Sequence, residues 1–320
     1  MNATFSHRTF LLGFAGAVVL SAAGAAGARA QSSVQQGVPA SVIVTVTGRE
    51  REEPPPMQKD DFLVYQGKDR RPVLSAVPQT GADNKIDFYV VVDDTSENQL
   101  ALRYPEISSF LRELPGPSQF AVLYARNGTV IVGQELTADR EAAIKKLRLP
   151  IGRIGATGGI YLSVVDVAKR IQLSPGRRAA ILLLSNGIDT FRGVRASTPG
   201  LNPDLDAAVS AAQRKGIIVY SIYVAPSSHF YRSLFLVNNG QACLARLGDE
   251  TGGEAYFSGT ITPINMQPFL DEVARHLGHQ YVVTFAAQPV KKTGLYPIKV
   301  RTEVSGAEVD APSNALIPAR

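Results

Sequence analysis

The chain has 320 residues, 45% of them hydrophobic and 19% charged, with one cysteine and no tryptophan. Such a chain holds one large core with small appendages, or roughly two to three domains, and one cysteine excludes both an intramolecular disulfide and a cysteine-rich zinc site. A net charge of +5 is too weak at this length to imply a nucleic-acid partner.

Residues 1–30 read as a secretory signal. His7 and Arg8 precede an apolar stretch from Phe10 to Leu20, and Ala28-Arg29-Ala30 supplies a small-x-small cleavage site. The mature chain is therefore expected to be secreted or periplasmic; retention of the stretch as an anchor is the other reading. No later segment is apolar enough to span a bilayer.

Residues 41–78 form a small β segment. Ser41 to Thr47 is a β-branched strand, Pro54-Pro55-Pro56 breaks the chain, and Asp61 to Tyr65 and Pro72 to Val77 flank a turn at Gln66-Gly67-Lys68. The basic cluster Lys68-Asp69-Arg70-Arg71 reads as a solvated strand edge.

From about residue 84 to 280 buried strands alternate with amphipathic helices, the grammar of an α/β domain with a mostly parallel sheet. Phe88 to Val92 is apolar throughout, as a strand covered on both faces must be. A helix follows to about Leu114, stopped by Pro115-Gly116-Pro117. Phe120 to Tyr124 and Val130 to Val132 flank Asn127-Gly128, a hairpin signal that makes one strand antiparallel at the sheet edge. Helices are expected near 138–148, 160–173, 204–214, 240–249 and 265–278, with strands at Ala179 to Leu184, Ile217 to Val224 and Glu254 to Phe257. Cys243 is expected to be buried, and His276 and His279, on the last helix, to be exposed. Residues 281–320 alternate apolar and polar residues around Lys291 to Gly294 and form a second small β segment.

In an open α/β sheet, ligands bind beyond the carboxyl ends of the strands. Three polar stretches stand at such places: Asp94-Thr95-Ser96-Glu97-Asn98, Gly155-Ala156-Thr157-Gly158-Gly159 and Ser185-Asn186-Gly187-Ile188-Asp189. Together they resemble the metal ion-dependent adhesion site of a von Willebrand factor type A (vWA) domain, which carries Asp-x-Ser-x-Ser after its first strand, a loop threonine, and an Asp-Gly loop after its fourth. The ordered set of signal, Lys59 to Tyr65, vWA core, Thr251-Gly252-Gly253-Glu254-Ala255-Tyr256 and Gln280 to Thr284 is similar to that of bacterial VWFA-related proteins of the Acidobacteria type.

The resemblance implies a Rossmann-like vWA fold, flanked by small all-β segments, in a non-enzymatic protein that binds a protein ligand through an acidic side chain completing the shell of Mg²⁺, or of Mn²⁺ or Ca²⁺. It implies no other cofactor, and no membrane span once the signal is cleaved. The implied metal ligands are Asp94, Ser96, Asn98, Thr157, Asn186 and Asp189. Asn98 stands where a serine is expected and Asn186 where an aspartate is, which removes one negative charge. Asp93, Glu97 and Asp189 lie close enough in sequence to compensate. Asp, Ser and Asn before a helix also serve as N-caps with no ligand, so a structural scaffold with an inert site is the alternative. A third reading takes Asp93-Asp94-Thr95 as the opening of a haloacid dehalogenase-like phosphatase, with Ser185 as the later hydroxyl; Tyr223 to Pro226 lacks the acidic pair such enzymes need.

Overall fold

A computed structural model describes residues 37–49, 52–151 and 159–320. The signal expected at 1–30 lies outside them. The chain opens with β1 (Val38–Gly48), β2 (Leu63–Gln66), β3 (Asp69–Arg71) and β4 (Val73–Pro78). The α/β part then runs β5 (Ile86–Asp93), α1 (Tyr104–Glu113), β6 (Gln119–Arg126), β7 (Thr129–Thr137), α2 (Arg140–Ile144), α3 (Ile160–Arg170) and β8 (Arg178–Ser185). It continues with α4 (Pro203–Lys215), β9 (Ile217–Tyr223), α5 (Leu234–Thr251), β10 (Ala255–Tyr256) and α6 (Gln267–Gly278). Four strands close the chain: β11 (Gln280–Ala287), β12 (Gly294–Arg301), β13 (Ala307–Asp310) and β14 (Asn314–Ile317).

The central sheet has the order β10-β9-β8-β5-β6-β7. Every pairing is parallel except that of β7, which lies antiparallel to β6 at the edge. Counted within the α/β part, this is the doubly wound order 3-2-1-4-5-6, so the chain has the Rossmann-like architecture expected from its sequence. The edge is set by the turn: Asn127 and Gly128 both take positive φ, 50° and 77°, the backbone a two-residue hairpin demands.

Every residue of β5, β8 and β9 is buried. The period of two along β5 sends Phe88, Val90 and Val92 into a core shared with α1 and α6, and Tyr89 and Val91 into one shared with α3, α4 and α5. Cys243 sits in the second core, fully buried, and burial pushes its thiol up to about 12. It is an inert packing group.

Strands from both ends of the chain form two four-stranded sheets, β13-β1-β11-β4 and β14-β12-β2-β3. These enclose a separate core that includes Val44, Phe62, Val64, Phe285 and Ile317. Arg178, at the start of β8, connects this part to the central sheet: its buried guanidinium donates to Gln79, Asn84, Gln280 and the Leu277 carbonyl. All four acceptors are neutral, and burial lowers its pKa to about 10.

Several local expectations are corrected. A 3-10 turn (Asn98–Arg103) precedes α1, α2 spans only five residues, and α5 begins six residues before the expected 240. β3, β13 and β14 are short strands the apolar pattern does not show. β3 is an edge strand, yet Arg71 folds inward and donates to the Ala286 carbonyl. His276 is buried instead of exposed, because α6 packs on both the central sheet and β1.

Candidate functional site

The polar cluster forms where β5 and β8 end side by side, with Val92 paired to Leu184. Asp93 is its centre. One carboxylate oxygen accepts the Thr95 N–H (2.9 Å) and hydroxyl (2.6 Å); the other accepts the Ser185 hydroxyl (2.6 Å) and the Asn186 amide (3.4 Å). The Asn186 NH₂ also donates to the Thr95 hydroxyl oxygen (3.2 Å), while its carbonyl oxygen accepts the Ile188 N–H (2.9 Å). That backbone donor fixes which end of the amide faces Asp93. Gly187 turns the loop at φ 69°, and a Cβ there would fall 2.3 Å from the Gly240 carbonyl oxygen. Glycine at both positions lets the loop sit directly on α5.

Asp94 faces elsewhere. Both its oxygens are held by Arg148, at 2.8 and 3.0 Å, and the Ile151 N–H approaches at 3.3 Å. The guanidinium lies over the Tyr124 ring, 3.6 Å from its centre, and the Tyr124 hydroxyl accepts the Arg148 N–H (2.7 Å) and donates to the Lys146 carbonyl (2.7 Å). Asp94 is 2% exposed and the Arg148 side chain 35% exposed, so this is a forked pair roofed by solvent on one side.

The remaining expected ligands scatter around this pair of acids. Ser96 is fully buried, its hydroxyl without a partner, in a segment bridged to Pro226. Glu97 takes Arg232 (2.8 Å) and the Thr262 hydroxyl. Asn98 is exposed. Asp189 accepts the Phe191 N–H (2.9 Å), and its other oxygen is buried without a partner. Thr157 lies outside the described residues. Of the five that are described, therefore, Asn186 enters a cluster whose acid is Asp93, one residue earlier than the motif reading. Thr95 and Ser185 join it, and Arg148 is the neighbour that sequence reasoning missed.

Burial raises the pKa of Asp93 against the pull of its Ser185 and Thr95 hydrogen bonds, and the charge of Asp94 adds to the rise. Asp189 is raised in the same way, by burial first and then by Asp204 and Asp93. A divalent cation needs oxygen lone pairs turned toward one point. Here the Asp93 lone pairs are met by four donors, Asn186 turns its NH₂ inward, and Asp94 is neutralised by a guanidinium. The described residues do not fit a metal ion of the adhesion-site kind. Nor do they present a phosphatase nucleophile: Asp93, Thr95 and Ser185 do meet, but Asp93 is 4% exposed and the cleft beside it is about 10 Å³, room for about one water.

The carboxyl-end rim of the sheet also carries apolar side chains. Most of the exposed large hydrophobic side chains lie in the segments that follow β5, β8, β9 and β10, among them Leu102 (66%), Phe191 (49%), Phe230 (68%), Leu234 (69%) and Ile264 (79%). All belong to the carboxyl-end edge of the sheet. Among the described residues no helix is long and apolar enough to cross a membrane.

No family model matches the chain, and no curated protein does. Solved structures do. An aerotolerance-related membrane protein from Bacteroides fragilis is 14% identical, covering 60% of this chain and 98% of its own, with a TM-score of 0.44. The ArnB paralog VWA2 from Sulfolobus acidocaldarius is 12% identical over 88% of this chain and 76% of its own (TM-score 0.41), and a von Willebrand factor type A protein from Catenulispora acidiphila 12% over 91% and 76% (0.40). Likeness at this level says nothing of partner or activity, and the architecture rests on the strand order itself.

Proposed function

We propose that this chain is an exported, non-enzymatic binding protein that engages a protein partner through the carboxyl-end face of a vWA-type sheet, without a divalent ion at its centre. The observation that carries the reading is the crowding of exposed Phe, Leu and Ile onto that one edge. Apolar side chains held in water by loops around a rigid sheet are the usual ground of a protein contact. In place of an adhesion-site ion, Arg148 supplies the positive charge beside the paired acids, and Asp93 serves to hold the β5 and β8 loops in register.

The test is positional cross-linking in the organism that encodes the chain. A photoreactive phenylalanine analogue at Phe230 or Phe191 is expected to yield one covalent adduct with a protein, undiminished by EDTA. The same analogue at Leu74, exposed on β4 of the sandwich, is expected to yield none. Adducts equal at both faces, or lost with EDTA, contradict the proposal.

A further inference from the structure

A cleft lies at the amino-end edge of the central sheet, opposite the Asp93 cluster, where the starts of β8 and β9 face the sandwich. Its volume is about 480 Å³, within the range of small-ligand pockets. Strand register builds one wall. Val282 of β11 pairs with Ile43 of β1 on one side and with Val77 of β4 on the other, an apolar row across three strands that lines the cleft. The sandwich core takes their chain neighbours Val42, Val44, Val283 and Ala76, so the row stands on the outer face of that sheet. Val77 is 45% exposed, and Leu173, from the segment after α3, adds a fourth apolar group.

The other wall brings positive charge. Arg178 is 4% exposed and lines the cleft. Its Nε donates to Gln280, and its Nη2 to both Asn84 and the Leu277 carbonyl. Its Nη1 carries two hydrogens but reaches just Gln79, at 3.5 Å, and Gln79 is itself part of the cleft wall. Lys215, exposed at the end of α4, donates to the Ile171 carbonyl at 2.6 Å. The acceptors of both cations are thus neutral. Arg177, the third cation of the cleft, is held by Asp87 at 2.5 Å, and one acid, the exposed Asp83, lines it among the described residues. Burial lowers the pKa of Arg178 to about 10, which still leaves it protonated at neutral pH. A buried charge without an opposite one is costly, and an arriving anion offsets that cost.

We infer that this cleft binds an amphiphilic anion, an alkyl chain ended by a carboxylate or a phosphate monoester. The head meets Arg178 and Lys215, and the chain covers the Ile43–Val282–Val77 row. A small inorganic anion would leave that row in water. A neutral hydrocarbon would leave the two cations without an opposite charge.

Calorimetric titration of residues 31–320 tests this, with dodecanoate and dodecyl phosphate as probes below their micelle concentrations. Dodecyltrimethylammonium and acetate are the controls for chain and head alone. Saturable one-to-one binding of at least one anionic probe is expected, with none of either control. Lys215→Glu and Val77→Asp, which alter exposed side chains on opposite walls, are each expected to weaken it at least about tenfold. Lys68→Glu, in the turn between β2 and β3, is expected to leave it unchanged. The tighter probe identifies the head group. Absence of saturable heat from both anionic probes overturns the inference. So does binding that Lys215→Glu or Val77→Asp leaves intact, or equal binding of either control.

Discussion

Asp93 and Asp94 are chemical twins one residue apart, and the strand decides their fates. Asp93 ends β5 beside Ser185 and collects four donors, while Asp94 turns out of the strand to Arg148. A carboxylate as buried as Asp94 is stable only while its partner is present, because an unpaired charge out of water costs more than the pair returns. Arg148→Ala is therefore expected to destabilise the fold by about 2–3 kcal/mol, below the full cost of breaking a buried pair because the guanidinium keeps solvent contact. Adding Asp94→Asn removes the stranded charge and should restore part of the loss. Urea unfolding of the two variants checks this; a cost under about 0.5 kcal/mol for the single change would show that the pair is a surface decoration.

At the scale of elements, α6 carries the clearest pH dependence. His276 is buried against Tyr220, and its pKa is lowered to about 4 from 6.5 by burial first and then by Arg275. The unfolded chain thus binds the proton more readily than the folded one between those values. Stability from this group is complete above about pH 6.5 and falls as the pH drops toward 4, by up to about 2 kcal/mol between pH 7 and 5. Urea midpoints at the two pH values in the unaltered chain and in His276→Gln isolate the effect: the variant should lose less. A loss equal in both assigns the pH dependence to other groups.

The long elements were legible in the sequence because burial on both faces leaves no choice of residue. The apolar runs of β5, β8 and β9 follow directly from that, and the Asn127-Gly128 turn from the positive φ its two residues must take. What stayed hidden depended on partners far along the chain. Nothing local marks Arg148, 54 residues from Asp94, as its counter-ion. Asp93 and Asp94 both offer a carboxylate at the end of β5, and the pairing of β5 with β8 sets Asp93 beside Ser185. β3, β13 and β14 are short strands at or near sheet edges, held by register more than by burial. α6 reads as amphipathic, which places His276 near the apolar boundary but not on which side of it.

The whole molecule joins a doubly wound sheet to a sandwich made from both ends of the described chain, linked through the buried Arg178. That arrangement leaves the carboxyl-end edge of the central sheet free to carry exposed apolar side chains around a polar cluster whose donors and acceptors largely satisfy one another. In the proposed reading Asp93 is held by Thr95, Ser185 and Asn186 and its neighbour Asp94 by Arg148, with no metal at either acid. Calorimetric titration of residues 31–320 with Mg²⁺, Mn²⁺ and Ca²⁺, beside the variants Asp93→Ala and Asp94→Ala, tests it most directly. The expected result is no saturable heat from any of the three ions in the unaltered chain. Stoichiometric binding that disappears in Asp93→Ala or Asp94→Ala would contradict it and restore a metal to the site.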